Sequence, residues 1–128
     1  MRFGTGIDIV DIEKLRGLIE RSGPRFLTRW FSSEEISYCE AKARPSQHYA
    51  ARFAAKEAAI KALGLGWRDG VSLKDVSVTV GSSGAPQVRL GGVAAERAAR
   101  RGIEELHVSL SHCARYAVAS VIVVFRQS

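Results

Sequence analysis

The chain has 128 residues, 46% of them apolar, so it is long enough to bury a core and we predict a single domain over residues 1–128. Its net charge of +6 predicts an anionic partner without choosing among nucleic acid, acidic protein, phosphorylated cofactor and lipid. No apolar run approaches the ~20 residues that cross a bilayer, and the N-terminus lacks a secretory signal, which predicts a cytoplasmic protein without membrane contact.

The first half of the chain predicts one strand followed by helices. Glycine and β-branched residues predict a short buried strand over 3–10, and amphipathic spacing predicts a helix from Ile12 to the Ser22-Gly23-Pro24 break. A short helical piece at 26–31 precedes a capping box formed by Ser32 and Glu35. The further helices expected are one over about 33–42 and a long alanine-rich one over 47–63, ended by Gly64.

The second half of the chain is mostly strand in pattern. Apolar residues alternate over 71–80, a glycine-rich turn follows, and a returning strand at 87–90 completes a predicted hairpin. A helix over 94–101 then leads to two strands at 105–111 and 116–125. The predicted fold class is α+β, a compact single domain with a mostly antiparallel sheet packed against helices, including one long central helix.

The two cysteines give no sign of a disulfide. Cys39 and Cys113 lie in different kinds of segment and have no metal-like spacing. We therefore expect both to be reduced thiols.

A lysine falls on the apolar side of the long helix. On a helical wheel, Lys56 lies within the arc of Tyr49, Phe53, Ile60 and Leu63. Either its stem lies on the core while the amine reaches water, or the amine points into a phosphate pocket.

The same helix carries further charged residues at helical spacing. His48, Arg52 and Lys56 form a row of potential anion donors. Glu57 and Lys61 are spaced as an ordinary exposed ion pair, and the spacing by itself favours that interpretation.

Two polar residues on predicted strands are candidates for chemistry. Asp8 lies in an apolar, glycine-flanked strand, where a hydrogen bond or a metal ion would satisfy its charge equally well. His112 lies at a strand end, on the same face as Leu106, Val108 and Leu110. It is either a general base or a packed structural histidine.

Three segments together resemble the signatures of the holo-acyl-carrier-protein synthases. They are Gly6-Ile7-Asp8-Ile9-Val10, then Arg52-Phe53-Ala54-Ala55-Lys56-Glu57-Ala58 with Lys61-Ala62-Leu63-Gly64, then His107-Val108-Ser109-Leu110-Ser111-His112. The order and separations also agree, over essentially the whole chain. The chain departs from the family pattern at Lys14, Ala85 and Cys113.

The resemblance implies an enzyme that transfers 4′-phosphopantetheine from coenzyme A to a serine of apo-acyl carrier protein, releasing adenosine 3′,5′-bisphosphate. It implies a homotrimer with active sites at the subunit interfaces. Asp8 and Glu57 would carry Mg²⁺ and, with Lys61 and His112, make up the catalytic set. His112 is the candidate base, and a metal-bound water or Asp8 are the alternatives for accepting the proton. The residues implied for coenzyme A are Arg52, Lys56, Lys61, Gly64, Pro86 and His112.

The resemblance also implies a docking surface for the strongly acidic carrier protein. The basic residues expected there are Lys14, Arg16, Arg21 and Arg25, whose charge would raise the encounter rate. The alternatives are a non-catalytic coenzyme A-binding protein and a small basic nucleic-acid-binding domain. We expect no nucleic-acid partner, because the chain lacks a recognisable reader motif. Binding to nucleic acid would also give no role to Asp8 and Glu57.

Overall fold

The computed structural model describes residues 1–127 and follows the predicted order of elements. Short 3₁₀ turns at Trp67–Asp69 and Leu73–Asp75 separate its two halves. The helices and strands, in chain order, are β1 (Arg2–Asp11), α1 (Ile12–Ser22), α2 (Pro24–Trp30), α3 (Ser33–Glu40), α4 (Pro45–Ala62), β2 (Val76–Val80), β3 (Pro86–Leu90), α5 (Gly92–Arg100), β4 (Ile103–His112) and β5 (Tyr116–Phe125).

The strands form two antiparallel sheets, which confirms the predicted α+β class. One has the order β1-β5-β4, and β2 and β3 form the other as a hairpin. Register in the larger sheet places Asp8 opposite Ala119 and His112 opposite Ala117. Both side chains therefore start from the sheet face that carries buried Ala117, Ala119 and Val121.

Helix α4 lies directly on that face because small residues line the contact. A Cβ added at Gly6 would lie 2.0 Å from the carbonyl oxygen of Ala58, and one at Gly4 would lie 2.6 Å from that of Ala62. The two glycines therefore allow β1 to approach the helix backbone closely. Alanines buried along α4 complete the contact.

Two details of the predicted strands are wrong. The first strand is not buried on both faces, since Phe3, Ile7 and Ile9 are exposed on the side opposite α4. The second strand begins at Val76 rather than at residue 71. Val71 and Leu73 are buried, but they enter the core from a loop and a 3₁₀ turn rather than from a strand.

Two further expectations can be compared with residues 1–127. Cys39 is buried and Cys113 exposed, and both are free thiols, as predicted. None of the helices described is both long enough and apolar enough to span a bilayer.

Candidate active site

Strand β1 and helix α4 bring three predicted site residues together. Lys61 Nζ lies 3.1 Å from Asp8 Oδ1 and donates a second hydrogen bond, also of 3.1 Å, to the carbonyl oxygen of Ile7. Asp8 and Glu57 line one hollow of about 370 Å³, which we call the carboxylate hollow. Lys61 thus pairs with Asp8, and the ion pairs found among the described residues do not include the Glu57–Lys61 pair that spacing alone favoured.

The two carboxylates lack full charge compensation. Burial raises the pKa of Glu57, the negative charge of Asp8 raises it further, and Lys61 opposes both effects. A cation between the carboxylates would relieve this repulsion. Within residues 1–127 no three His, Cys, Asp or Glu side chains group to hold a metal alone. Two carboxylates still fit Mg²⁺, which typically completes its shell with waters and phosphate oxygens.

A second hollow, of about 270 Å³, lies against another side of α4, and we call it the arginine pocket. Arg52 and His48 line it from α4, Pro86 from the hairpin and His112 from β4. Its described lining contains no carboxylate. The pKa of His48 is lowered by burial and by the nearby charges of Arg52, Lys42 and His112. The pocket is therefore suited to an anion.

Arg52 itself is held in place but incompletely satisfied. Its side chain is only 4% exposed, and its guanidinium lies 4.0 Å from the centre of the Tyr38 ring. Its Nε is the buried side-chain polar atom without a hydrogen-bond partner in the described part of the chain. A buried donor without a partner is costly, and the guanidinium of Arg52, which lines the pocket, is a candidate donor to an anionic oxygen there.

The structure corrects the prediction that Lys56 binds coenzyme A. Lys56 is completely buried, so its amine reaches neither water nor the arginine pocket. It forms an ion pair of 2.8 Å with Glu35 and donates to the carbonyl oxygens of Leu73 and Val76. Its three donors thus have partners inside the protein. Neither of the two interpretations left open by the sequence, a snorkelling stem or a pocket cation, is correct.

Glu35 is the site-supporting residue that sequence reasoning missed. It was assigned to the capping box, which is present with Ser32, but the same carboxylate also holds Lys56. A lysine on an apolar helix face was the available signal, because a buried charge requires a partner.

The remaining predicted cofactor residues lie in different places. Pro86 lines the arginine pocket together with Gly84. Gly64 lines neither hollow and follows α4 with a φ of 71°, so it serves the end of the helix next to Lys61.

His112 lies apart from the carboxylates within one chain. It lines the arginine pocket, whereas Asp8 and Glu57 line the carboxylate hollow, and the two hollows share no lining residue among those described. The structure thus does not bring His112 into the carboxylate hollow of the same chain, and its role as base stays a prediction.

The four predicted docking residues also differ from one another. Arg16 is engaged by Glu13 and Glu20 of its own helix. Lys14 lines the carboxylate hollow, and Arg21 and Arg25 line a hollow of about 400 Å³. The sequence did not indicate the other residues of this last hollow, which include Phe26, Arg29 and Trp30.

The chain is similar to known proteins over nearly its whole length. The family model of the 4′-phosphopantetheinyl transferase superfamily matches residues 4–121. The chain is 49% identical over 122 residues to a holo-[acyl-carrier-protein] synthase of Geobacter sulfurreducens, covering 95% of this chain and 97% of that protein. A holo-[acyl-carrier-protein] synthase of Koribacter versatilis is 48% identical, with coverage of 95% and 98%.

Solved structures show the same fold. The holo-[acyl-carrier-protein] synthase of Neisseria meningitidis superposes with a TM-score of 0.86 at 30% identity, covering 94% of this chain and 97% of that one. The Helicobacter pylori holo-[acyl-carrier-protein] synthase, in complex with coenzyme A, has a TM-score of 0.82 at 35% identity, with coverage of 94% and 99%.

Proposed function

Since the chain belongs to the 4′-phosphopantetheinyl transferase superfamily, as a holo-acyl-carrier-protein synthase that transfers phosphopantetheine from coenzyme A to apo-acyl carrier protein, we propose that the chemistry takes place at Asp8, Glu57 and Lys61. The observation that carries this assignment is a pair of carboxylates in one hollow with a single half-exposed lysine, which pairs with Asp8 and only partly offsets their charge. The carrier serine attacks the pantetheine-bearing phosphorus, and the bond from that phosphorus to adenosine 3′,5′-bisphosphate breaks.

The proposed metal is Mg²⁺, held by Asp8 and Glu57. When bound there it would neutralise the pyrophosphate of coenzyme A and improve the leaving group. Lys61 already lies 3.1 Å from Asp8 and remains half-exposed, so its remaining donor capacity can reach a phosphate oxygen. Asp8, which lines the carboxylate hollow, in turn accepts a hydrogen bond from the amine of Lys61.

The proposed coenzyme A contacts beyond the pyrophosphate lie in the arginine pocket. Arg52 offers a buried, unpartnered donor, and His112 and Pro86 line the same space. An anionic group of coenzyme A would satisfy Arg52 and balance the positive potential of the pocket. His112 would therefore bind the co-substrate, in addition to any part in proton removal.

We further propose a homotrimer in which the carboxylate hollow of one copy meets the arginine pocket of another. The separation of His112 from Asp8 within one chain supports a shared site. The open face of the larger sheet supplies an apolar surface for such contact, with Phe3, Ile7 and Ile9 exposed. In this arrangement His112 is the proposed base for the carrier serine.

Mixing two inactive variants tests the shared site. Asp8→Ala and His112→Ala chains, refolded together, should regain part of the activity, because some interfaces then pair an intact carboxylate hollow with an intact His112. Each variant refolded alone should stay inactive. A mixture as inactive as its components would contradict a site built from two copies.

The proposed docking surface for the acidic carrier consists of Lys14, Arg21 and Arg25, with Arg16 contributing through its network with Glu13 and Glu20. Complementary charge there would raise the rate of encounter.

The proposed location of the enzyme is the cytoplasm, where thiols such as Cys39 and Cys113 stay reduced.

Intact-mass spectrometry of an apo-acyl carrier protein tests the proposed chemistry. Incubation with this chain, coenzyme A and Mg²⁺ should add the mass of phosphopantetheine to the carrier. A chelator or the Asp8→Ala substitution should abolish the gain. Glu104→Ala, which removes an exposed carboxylate on β4, is the matched control and should leave it intact. Full transfer by Asp8→Ala, or in the presence of chelator, would rule out the proposed metal site.

A further inference from the structure

The buried pair of Glu35 and Lys56, here called the clamp, joins three elements at one point. Glu35 Oε1 lies 2.8 Å from Lys56 Nζ and accepts from the backbone N–H of Ser32, also at 2.8 Å. Glu35 Oε2 accepts from the N–H of Val78 at 2.8 Å. Lys56 donates to the carbonyl oxygen of Val76 as well. Helices α3 and α4 are thus both bonded to strand β2.

The same three elements line the arginine pocket close to the clamp. Tyr38 lies three residues after Glu35 on α3, Arg52 lies four residues before Lys56 on α4, and Val80 lies two residues after Val78 on β2. Each clamp contact is therefore within about one turn, or one strand repeat, of a pocket-lining side chain.

The hairpin needs such an anchor because it is a sheet of its own. In the described residues β2 and β3 pair with each other and do not join the β1-β5-β4 sheet. Ladder hydrogen bonds therefore do not fix its position relative to the pocket. Val76 and Val78 hold it by apolar burial, which is not directional, whereas the clamp supplies directional contacts.

We propose that Glu35 and Lys56 are positioning residues for coenzyme A: the clamp sets the hairpin against α3 and α4 and thereby shapes the arginine pocket around Arg52. A buried ion pair is a poor source of stability compared with apolar packing, so its value here is geometric. This inference rests on the proposed function of the arginine pocket as a coenzyme A site.

The Glu35→Gln variant tests the clamp without changing its shape. Glutamine has one acceptor oxygen, so its amide group would face either the Val78 N–H or the Lys56 amine, donor against donor. The KM for coenzyme A should rise, by about tenfold at most, because coenzyme A must then restore the pocket geometry at a cost no larger than that of the lost clamp hydrogen bond. The kcat at saturating coenzyme A and the KM for the carrier should stay within about twofold, because Asp8, Glu57 and Lys61 are untouched.

A matched control separates positioning from loss of stability. Val123→Ala removes buried volume from the larger sheet, and Val123 lines neither hollow. At an equal loss of melting temperature it should leave the KM for coenzyme A unchanged. Equal changes of this KM in both variants, or none in folded Glu35→Gln, would overturn the proposal.

Hydrogen exchange in the wild-type protein provides a test that does not depend on the variant folding. If the clamp shapes the pocket, coenzyme A must stabilise the clamp in return. Saturating coenzyme A should slow exchange of the Val78 amide more than that of the Val121 amide in the central strand β5. Slowing of both amides by the same factor, or no slowing at Val78, would contradict the clamp.

Calorimetry of wild-type protein with coenzyme A distinguishes failure of the proposed coenzyme A site from failure of the clamp. Absence of binding would overturn the proposed coenzyme A site itself. Binding by the wild type, together with an unchanged KM in Glu35→Gln, would overturn the clamp alone.

Discussion

Helix α4 carries two lysines five residues apart, each paired with a carboxylate, and the two pairs differ in burial. Lys56 and Glu35 are 0% and 1% exposed, whereas Lys61 and Asp8 are 53% and 20% exposed. The sequence presents both lysines as cations of one motif. Burial decides which of them is available to a ligand, because a buried amine spends its donors on protein acceptors.

The two pairs also respond to their surroundings in different ways. Burial lowers the pKa of Lys56, and Glu35 opposes that shift. At the Asp8–Lys61 pair, here called the open pair, the perturbed pKa belongs to the neighbouring Glu57, because burial and the charge of Asp8 raise it. The clamp is buried and its charges are satisfied inside the protein. The open pair leaves charge unbalanced where a metal and phosphates are proposed to bind.

The largest effect is expected from breaking the clamp. Lys56→Met should cost about 3–5 kcal/mol of unfolding free energy, because it leaves Glu35 buried without its counter-charge. Urea unfolding of the metal-free protein measures this loss. The double variant Glu35→Gln/Lys56→Met should lose less than the sum of the single variants, since the two residues are in direct contact. Additive losses would show that the pair is not coupled.

Breaking the open pair should affect catalysis instead. Lys61→Met should lower kcat about 10²-fold, the loss expected when a donor to a developing charge is removed. Its unfolding free energy should change by under about 1 kcal/mol, because solvent screens the half-exposed pair. Steady-state rates and urea unfolding on the same sample check both values. A large stability loss with normal turnover would reverse the roles assigned to the two lysines.

Sequence reasoning was reliable where one local pattern decides the structure. The capping box of Ser32 and Glu35 and the alanine-rich α4 formed as predicted. It failed at residues 71–75, where alternating apolar residues suggested a strand. There the side chains of Ser72 and Asp75 accept backbone N–H groups and favour a 3₁₀ turn instead.

The site was predictable as a set of residues but not as an arrangement. Motif resemblance selected Asp8, Glu57 and Lys61, and the structure brings them together. Periodicity placed Lys56 on the apolar side of α4, but its partner lies 21 positions away on α3. No local pattern specifies such a contact. The same limit applies to Tyr38, which supports Arg52 across two helices.

The open pair depends on close contact between β1 and α4, and Gly6→Ala should disturb that contact. The new Cβ would lie 2.0 Å from the Ala58 carbonyl oxygen, so the strand or the helix must shift. We expect a loss of about 1–3 kcal/mol and reduced transfer, as Asp8 moves relative to Lys61. Gly66→Ala is the matched control, since its Cβ would meet nothing within 4 Å. Equal effects of the two substitutions would contradict the close contact.

The smallest effect concerns the charge left unbalanced beside the open pair. Because the folded state raises the pKa of Glu57, ionised Glu57 destabilises the metal-free protein at neutral pH. Glu57→Gln should therefore stabilise it there, by under about 1 kcal/mol for a partly solvated group. As pH falls through the raised pKa toward the ordinary value of 4.5, wild-type Glu57 takes up its proton and the difference should disappear. Urea unfolding of both proteins from pH 8 to pH 4 measures this convergence. A Glu57→Gln variant that is less stable than wild type at neutral pH would show that Glu57 is a satisfied structural carboxylate, and would remove the electrostatic reason for placing a cation beside Asp8.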